Sequence, residues 1–198
     1  ISKGDHVINK EFDDIEEENT YENINFSSMR DKIRVSDVTF INCTFDQNNF
    51  KNSEWLDCTF SGINFSNFNF ENSVLYRTEF KNCNLLGTDF SGNTWKDNTI
   101  ENSRADYATF NSSKLTNTHI RNSNFNETYF REVAFQKGFV PKESTFNHAD
   151  FLESKLTTVD LSSSDFDDII FTPENIKGLV INQFQAHILL SNFGVIIR

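Results

Sequence analysis

The side chains able to do chemistry are few in kind. Three cysteines (Cys43, Cys58, Cys83) and four histidines (His6, His119, His148, His187) show no metal-ligand spacing, within either set or between them. No nucleophile motif and no glycine-rich phosphate loop occurs among only seven glycines. What remains is carboxylate: 29 Asp and Glu against 18 Lys and Arg, a net charge of -11. That charge repels nucleic acid and anionic membrane surfaces, so neither is expected as a direct partner, and a basic partner is favoured. Carboxylates do acid–base work only where a cleft perturbs them, so the elements that carry them decide their use.

Those elements announce themselves by a five-residue phase. Hydrophobic residues make up 37% of the chain, yet 22 of 198 residues are Phe, so the apolar content sits in one bulky side chain. From Phe40 a large apolar residue recurs at every fifth position to Val140, with Ala105 the one small exception. One extra residue falls within "QKGFVPKEST", and the phase resumes at Phe146 and runs to Phe171. Neither a helix at 3.6 residues per turn nor a strand at two keeps such a period.

Two residues before each ring the chain is usually small, as at Cys43, Ser53, Cys58, Ser73, Thr78 and Cys83, and the other positions are turn and surface types. In extended backbone, positions two apart point the same way, so ring and small residue both face inward. An inward pair followed by a turn, repeated in strict phase, predicts an all-β solenoid whose coils pair with those above and below. With four units per coil, Phe50, Phe70, Phe90, Phe110, Phe130, Phe151 and Phe171 stack in one column; with three, no column is as uniform. Asn48, Ile63, Phe68, Asn93 and Asn98 fill slots that want a small residue, so bulges are expected there, and Ala105 is expected to leave a ring-sized space.

"CNLLG", "TDFSG", "ADFLE" and "SDFDD" carry a small residue, Asp or Asn, and a Leu or Phe centre. In these units the chain resembles the pentapeptide-repeat proteins over about residues 35 to 172, which implies a right-handed quadrilateral β-helix with four units per coil. The organisation expected is an N-terminal cap and partial first coil (1–34), the repeat β-helix (35–172) and a C-terminal capping and dimerisation segment (173–198).

In the last segment, "NQFQAHILLSNFG" predicts a helix capped by Asn182, with Phe184, Ile188, Leu189 and Phe193 on one apolar face and Gly194 at its end, and "VIIR" reads as a short strand. Leu190, Val195, Ile196 and Ile197 are left over, which favours a symmetric dimer built through this tail. "QAHILLSNFGVII" is similar to the capping segment of the Qnr and MfpA group, and "RADYATF" to a recurrent stretch of Qnr proteins. That resemblance implies a homodimeric rod that imitates duplex DNA and binds gyrase and topoisomerase IV, in some members protecting them from quinolones. The unbroken phase leaves no room for projecting loops before Val140, so the chain resembles the loop-less members.

Four units per coil assign each charge to a side. One side carries Asp46, Asp106, Glu127, Asp165, Asp167 and Asp168 against Arg104. The next, over the all-Phe column, adds Glu71, Asp89, Glu132, Asp150 and Glu153 against Lys51 and Arg131. The side around Trp55 is basic, with Arg77, Lys96, Lys114, Lys137 and Lys155. Acidity gathered on two adjoining sides is what a DNA mimic needs, though at about one charge per 3 Å it falls short of the ~1.7 Å spacing in duplex DNA. The alternative is a structural or adaptor solenoid that binds another protein through its polar faces.

Carboxylates on a solenoid side have no cleft to perturb them, so no enzyme and no cofactor is expected. The cysteines read as buried thiols, and Cys43 and Cys83, two coils or about 9.6 Å apart by strand spacing, are beyond disulfide reach. With no apolar run of roughly 20 residues and no signal-peptide profile, the protein is expected to be soluble and cytoplasmic.

Overall fold

The computed structural model of the protein describes residues 7–27 and 32–198. His6 and parts of the expected N-terminal cap lie outside the described residues. The chain winds as a parallel β-solenoid of about eight turns closed by one C-terminal helix. Phe40 pairs with Phe60, Phe60 with Phe80, Phe80 with Ile100 and Ile100 with Ile120, so one turn takes 20 residues, or four units of five. The side around Val35, Trp55, Leu75, Trp95, Leu115 and Phe135 is paired in the same way. On the other two sides strands pair only at the ends, as Phe26 with Phe45 and Phe151 with Phe171, and between them the pairing thins to single bridges. One column runs Asn64, Asn84, Arg104, Asn124, Thr145, Asp165, and the other Asn49, Asn69, Asp89, Thr109, Tyr129, Asp150.

The corner explains why five residues make one side. Two residues after each ring the backbone takes positive φ, as at Asn52 (57°), Asp57 (53°), Gly62 (67°), Asn67 (59°) and Asn72 (55°). Asn and Gly tolerate this left-handed region best, which is why they recur there. The corner N–H is not lost: Asn52 N–H donates to Glu71 O and Asp57 N–H to Tyr76 O on the next coil.

Between corners the rings fill the axis. Phe70 and Phe90 lie with centroids 5.3 Å apart, Phe90 and Phe110 5.1 Å, Phe110 and Phe130 5.2 Å, and Phe130 and Phe151 5.0 Å, all near parallel. Phe50 stacks under Phe70 at a steeper tilt, and Phe171 is only half-buried, with Phe193 of the tail against it at 5.9 Å. Ala105 is fully buried, and the wide indole of Trp95 occupies the opposite side of the same coil, so large faces small across the section.

The small slot is a polar ladder. Its side chain donates to the carbonyl of the ring residue 23 positions back: Ser73 to Phe50 O, Thr78 to Trp55 O, Thr88 to Phe65 O, Ser113 to Phe90 O. The same oxygen accepts the N–H of the slot in the coil before, as Ser53 N–H to Ser73 Oγ and Ser103 N–H to Ser123 Oγ. This corrects the expected bulges at Asn93 and Asn98, where the register runs on unbroken. The Asn98 amide supplies both functions at once, accepting from Thr78 N–H and donating to Leu75 O, each at 2.8 Å. Phe68 is absorbed likewise, its ring packing at 5.2 Å from Phe65 and 5.5 Å from Phe50.

The extra residue falls earlier than the phase predicts. Val140 is exposed and Phe139 is buried, reversing the expected slots. Thr116 pairs with Gln136 but Thr118 pairs with Phe139, and Lys137 and Gly138 both take positive φ. Gly138 permits the second left-handed residue, which turns the Phe139 ring inward and gives Pro141 the next buried slot.

Both ends are plugged. Phe12, on the 3-10 turn Phe12–Asp14, inserts its ring 6.2–6.4 Å from Phe26, Phe45, Phe50 and Trp55. At the other end Gln185 is buried and its amide donates to Leu161 O and Ser164 O, satisfying carbonyls that no further coil covers. Helix α1 (Ala186–Asn192) begins after it. Asn182 caps the preceding turn instead of the helix, accepting from Phe184 N–H and Gln185 N–H. Residues 195–198 form no strand; they follow the left-handed Gly194 (φ 73°) that ends the helix.

Candidate functional site

The two bridge-paired sides carry the acidic residues, and the structure divides them into free and committed groups. Asp46, Glu132, Glu153, Asp165 and Asp167 are exposed, while Glu71, Asp89, Glu127 and Asp168 are half-buried. Asp106 and Asp150 are buried, at 7% and 2% exposure. Asp106 accepts from Arg104 Nε at 2.8 Å and from Asn126 N–H at 2.9 Å. Asp150 accepts from Arg131 Nε at 2.6 Å and from Leu152 N–H at 3.0 Å. These two carboxylates are structural pairs, which corrects their place among the freely presented acids. The Asp150 hydrogen bond raises the Arg131 pKa, so that guanidinium stays charged.

The free acids are unevenly spread along the rod. Beyond the N-terminal segment, which exposes Glu11, Asp13, Asp14, Glu16, Glu17 and Glu18, there is about one per coil, at Asp46, Glu71 and Asp89. Over the last three coils Glu127, Glu132, Glu153, Asp165, Asp167 and Asp168 crowd together, with His148 Nδ1 3.9 Å from Asp168. On the basic side Arg77 is held by both oxygens of Asp57 and lies 3.9 Å over the Tyr76 ring, and Lys96 sits 5.0 Å from the same ring. The Arg77 hydrogen bond, chiefly, holds the Asp57 carboxyl below its usual range.

The tail next to the acid-rich coils is apolar and open. Leu189 is buried against the last coil and Ile188 is partly covered, but Phe184, Leu190, Phe193, Val195, Ile196 and Ile197 are exposed, Ile196 at 81%. The apolar residues of α1 therefore do not form one covered face: Leu189 alone is fully used.

Among the described residues no group of three His, Cys, Asp or Glu side chains could hold a metal ion. No described helix is long and apolar enough to cross a membrane. The cysteines are free and buried; burial pushes the Cys58 thiol up to about 12 and Cys83 to about 11.

Residues 33–110 match the family model of the pentapeptide repeat region. Those residues resemble the pentapeptide repeat, and the chain as a whole is a parallel β-solenoid. No curated protein matches it in sequence. Solved structures similar to this solenoid include HetL, a pentapeptide repeat protein involved in heterocyst differentiation regulation from the cyanobacterium Nostoc sp. strain PCC 7120. The two share 14% identity over 88% of this chain and 73% of HetL, with a TM-score of 0.54. Full-length QnrB1, a plasmid-mediated fluoroquinolone resistance protein, shares 16% identity over 95% of each chain, with a TM-score of 0.46.

Sequence reasoning overlooked two features of the acidic sides. Tyr107 occupies a corner at φ 60° and is 57% exposed. Tyr129, also partly exposed, lies under Arg131 at 5.7 Å. The signal was present in the phase: Tyr107 stands at a corner that Asn67 and Gly87 fill on the two coils before it.

Proposed function

We propose that this pentapeptide-repeat solenoid is a DNA mimic that binds the bacterial type II topoisomerases gyrase and topoisomerase IV in the cytoplasm and modulates fluoroquinolone action, without catalysis of its own. The observation that carries this reading is the crowding of six exposed or half-buried carboxylates on these two sides over the three coils nearest an exposed apolar tail. If two copies join through Phe184, Leu190, Phe193, Val195, Ile196 and Ile197, the densest acid falls at the centre of a doubled rod, where a basic saddle would meet it. From Asp46 to Asp89 the spacing of about one acid per ~4.8 Å coil is too sparse to imitate a phosphate backbone alone. The tail sequence "QAHILLSNFGVII", similar to that of the Qnr and MfpA group, supports the same partner.

Supercoiling and drug-induced cleavage by purified gyrase, measured with and without a fluoroquinolone, test the proposal. The solenoid is expected to change one or both at micromolar concentration; no change in either overturns it.

A further inference from the structure

The middle of the acidic sides holds two carboxylates that are already neutralised. Arg104 cancels Asp106 and Arg131 cancels Asp150, each through an ion pair with a buried carboxylate. Between these pairs stand two exposed phenols. Tyr107 holds the corner that joins the two acidic sides, and Tyr129 lies on the coil above, bridged over Thr109, two residues from Tyr107. The surface here holds two Tyr and two Arg, with Glu127 at the corner above Tyr107, Glu132 beside Arg131, and Asp89 and Glu153 on the adjoining coils.

Tyr107 is also held at a cost. Its φ of 60° is left-handed, and it is the one Phe, Tyr or Trp among the described positive-φ residues. A bulky side chain is disfavoured there. In the same column of corners Asn67 and Gly87 stand below it and Glu127 and His148 above, so Tyr107 is the bulkiest side chain in the column. Its ring repays little by burial, being 57% exposed. Strain retained without a packing return is a mark of function, and Tyr and Arg are the types that dominate binding energy once desolvated.

We infer that Tyr107, flanked by Tyr129 and Arg131, is the anchor of the partner contact, entering an apolar slot within a basic protein surface, while the surrounding carboxylates steer the approach. This rests on the topoisomerase reading above and names the part of the solenoid that would hold the complex together. Charge complementarity selects the partner's rim as basic, and the exposed phenols select its centre as apolar with an acceptor for the hydroxyl.

The test compares the wild type, Tyr107→Asn and the triple change Glu127→Gln, Glu132→Gln, Asp167→Asn for gyrase affinity across a salt series, with thermal melting of each. Tyr107→Asn is expected to bind about 30-fold more weakly with the salt dependence of the wild type, and to melt about 2 °C higher as the strain is relieved. The triple variant is expected to flatten the salt dependence. Wild-type affinity in Tyr107→Asn, an altered salt slope in that variant, or a lower melting temperature overturns the inference and leaves the topoisomerase reading standing. A wild type that does not bind gyrase at any salt overturns both.

Discussion

Trp55 Nε1–H donates to Ser53 Oγ at 2.7 Å, two residues back in its own coil. Trp95 holds the equivalent place two coils on, but its slot partner is Asn93, and neither Trp95 Nε1 nor Asn93 Nδ2 finds an acceptor. Two buried donors face a site built for one donor and one acceptor. Asn93→Ser restores the arrangement of the Trp55 coil and is expected to raise stability by about 1 kcal/mol, read as a higher denaturation midpoint at unchanged m-value. A lower midpoint would show that the carboxamide's packing outweighs the unmet donors.

Phe90 sits between Phe70 and Phe110, with Trp95 edge-on at 5.1 Å. Phe90→Ala removes a fully buried ring from mid-stack, where coils above and below cannot close together without breaking their ladders. A loss of about 3–5 kcal/mol is expected in chemical denaturation; an unchanged curve would contradict the stack.

The buried thiols make stability fall at high pH. Their folded pKa values lie above the unfolded value, so the protonated form is the one the fold favours. Their contribution is complete below the unfolded pKa and is lost as pH rises toward about 11 for Cys83 and about 12 for Cys58. Cys58→Ala should flatten the decline in melting temperature above pH 9. Native protein should also leave all three thiols unreactive to a disulfide reagent until it is unfolded.

Asp106 and Glu127 stand on the same side of the rod and should behave oppositely on neutralisation. Asp106→Asn breaks the Arg104 pair and should lower stability by about 1 kcal/mol with little effect on partner affinity. Glu127→Gln, on a half-exposed carboxylate, should leave melting unchanged and weaken binding at low salt. Melting curves beside a gyrase supercoiling titration separate the two.

Ile196 and Leu190 lie in the open apolar tail. If the tail joins two copies, Leu190→Asp with Ile196→Asp should convert a dimer into a monomer in sedimentation analysis, with the far-ultraviolet spectrum retained. A wild type that sediments as a monomer would remove the tail from the proposed assembly.

The sequence by itself determined the coil. A ring at every fifth residue and a small polar residue two before it have one three-dimensional solution that buries every ring, because a single pentapeptide cannot cover its own Phe and must stack on the next. Columns such as Phe50 to Phe151 were therefore legible from residue numbers, and so was the side of the rod on which each acid falls. What the phase could not reveal was anything set by contacts between coils. Asn93 and Asn98 look like intruders in a small-residue slot, yet the Asn98 amide both accepts and donates as the hydroxyls do elsewhere, while that of Asn93 only accepts, from Ser73 N–H. Val140 continues the phase, but burying the Phe139 ring is worth more than keeping register, and Gly138 makes the shift possible.

The same limit applies to charge. Asp106 and Asp165 look alike in sequence, each acidic and on one side. Only the tertiary structure decides that Asp106 turns inward to Arg104 and a backbone N–H while Asp165 meets solvent, because a carboxylate's exposure depends on which partner the neighbouring coil places within hydrogen-bond reach. Periodicity fixes where a side chain stands along and around the rod; the neighbours one coil above and below decide whether it is presented or spent.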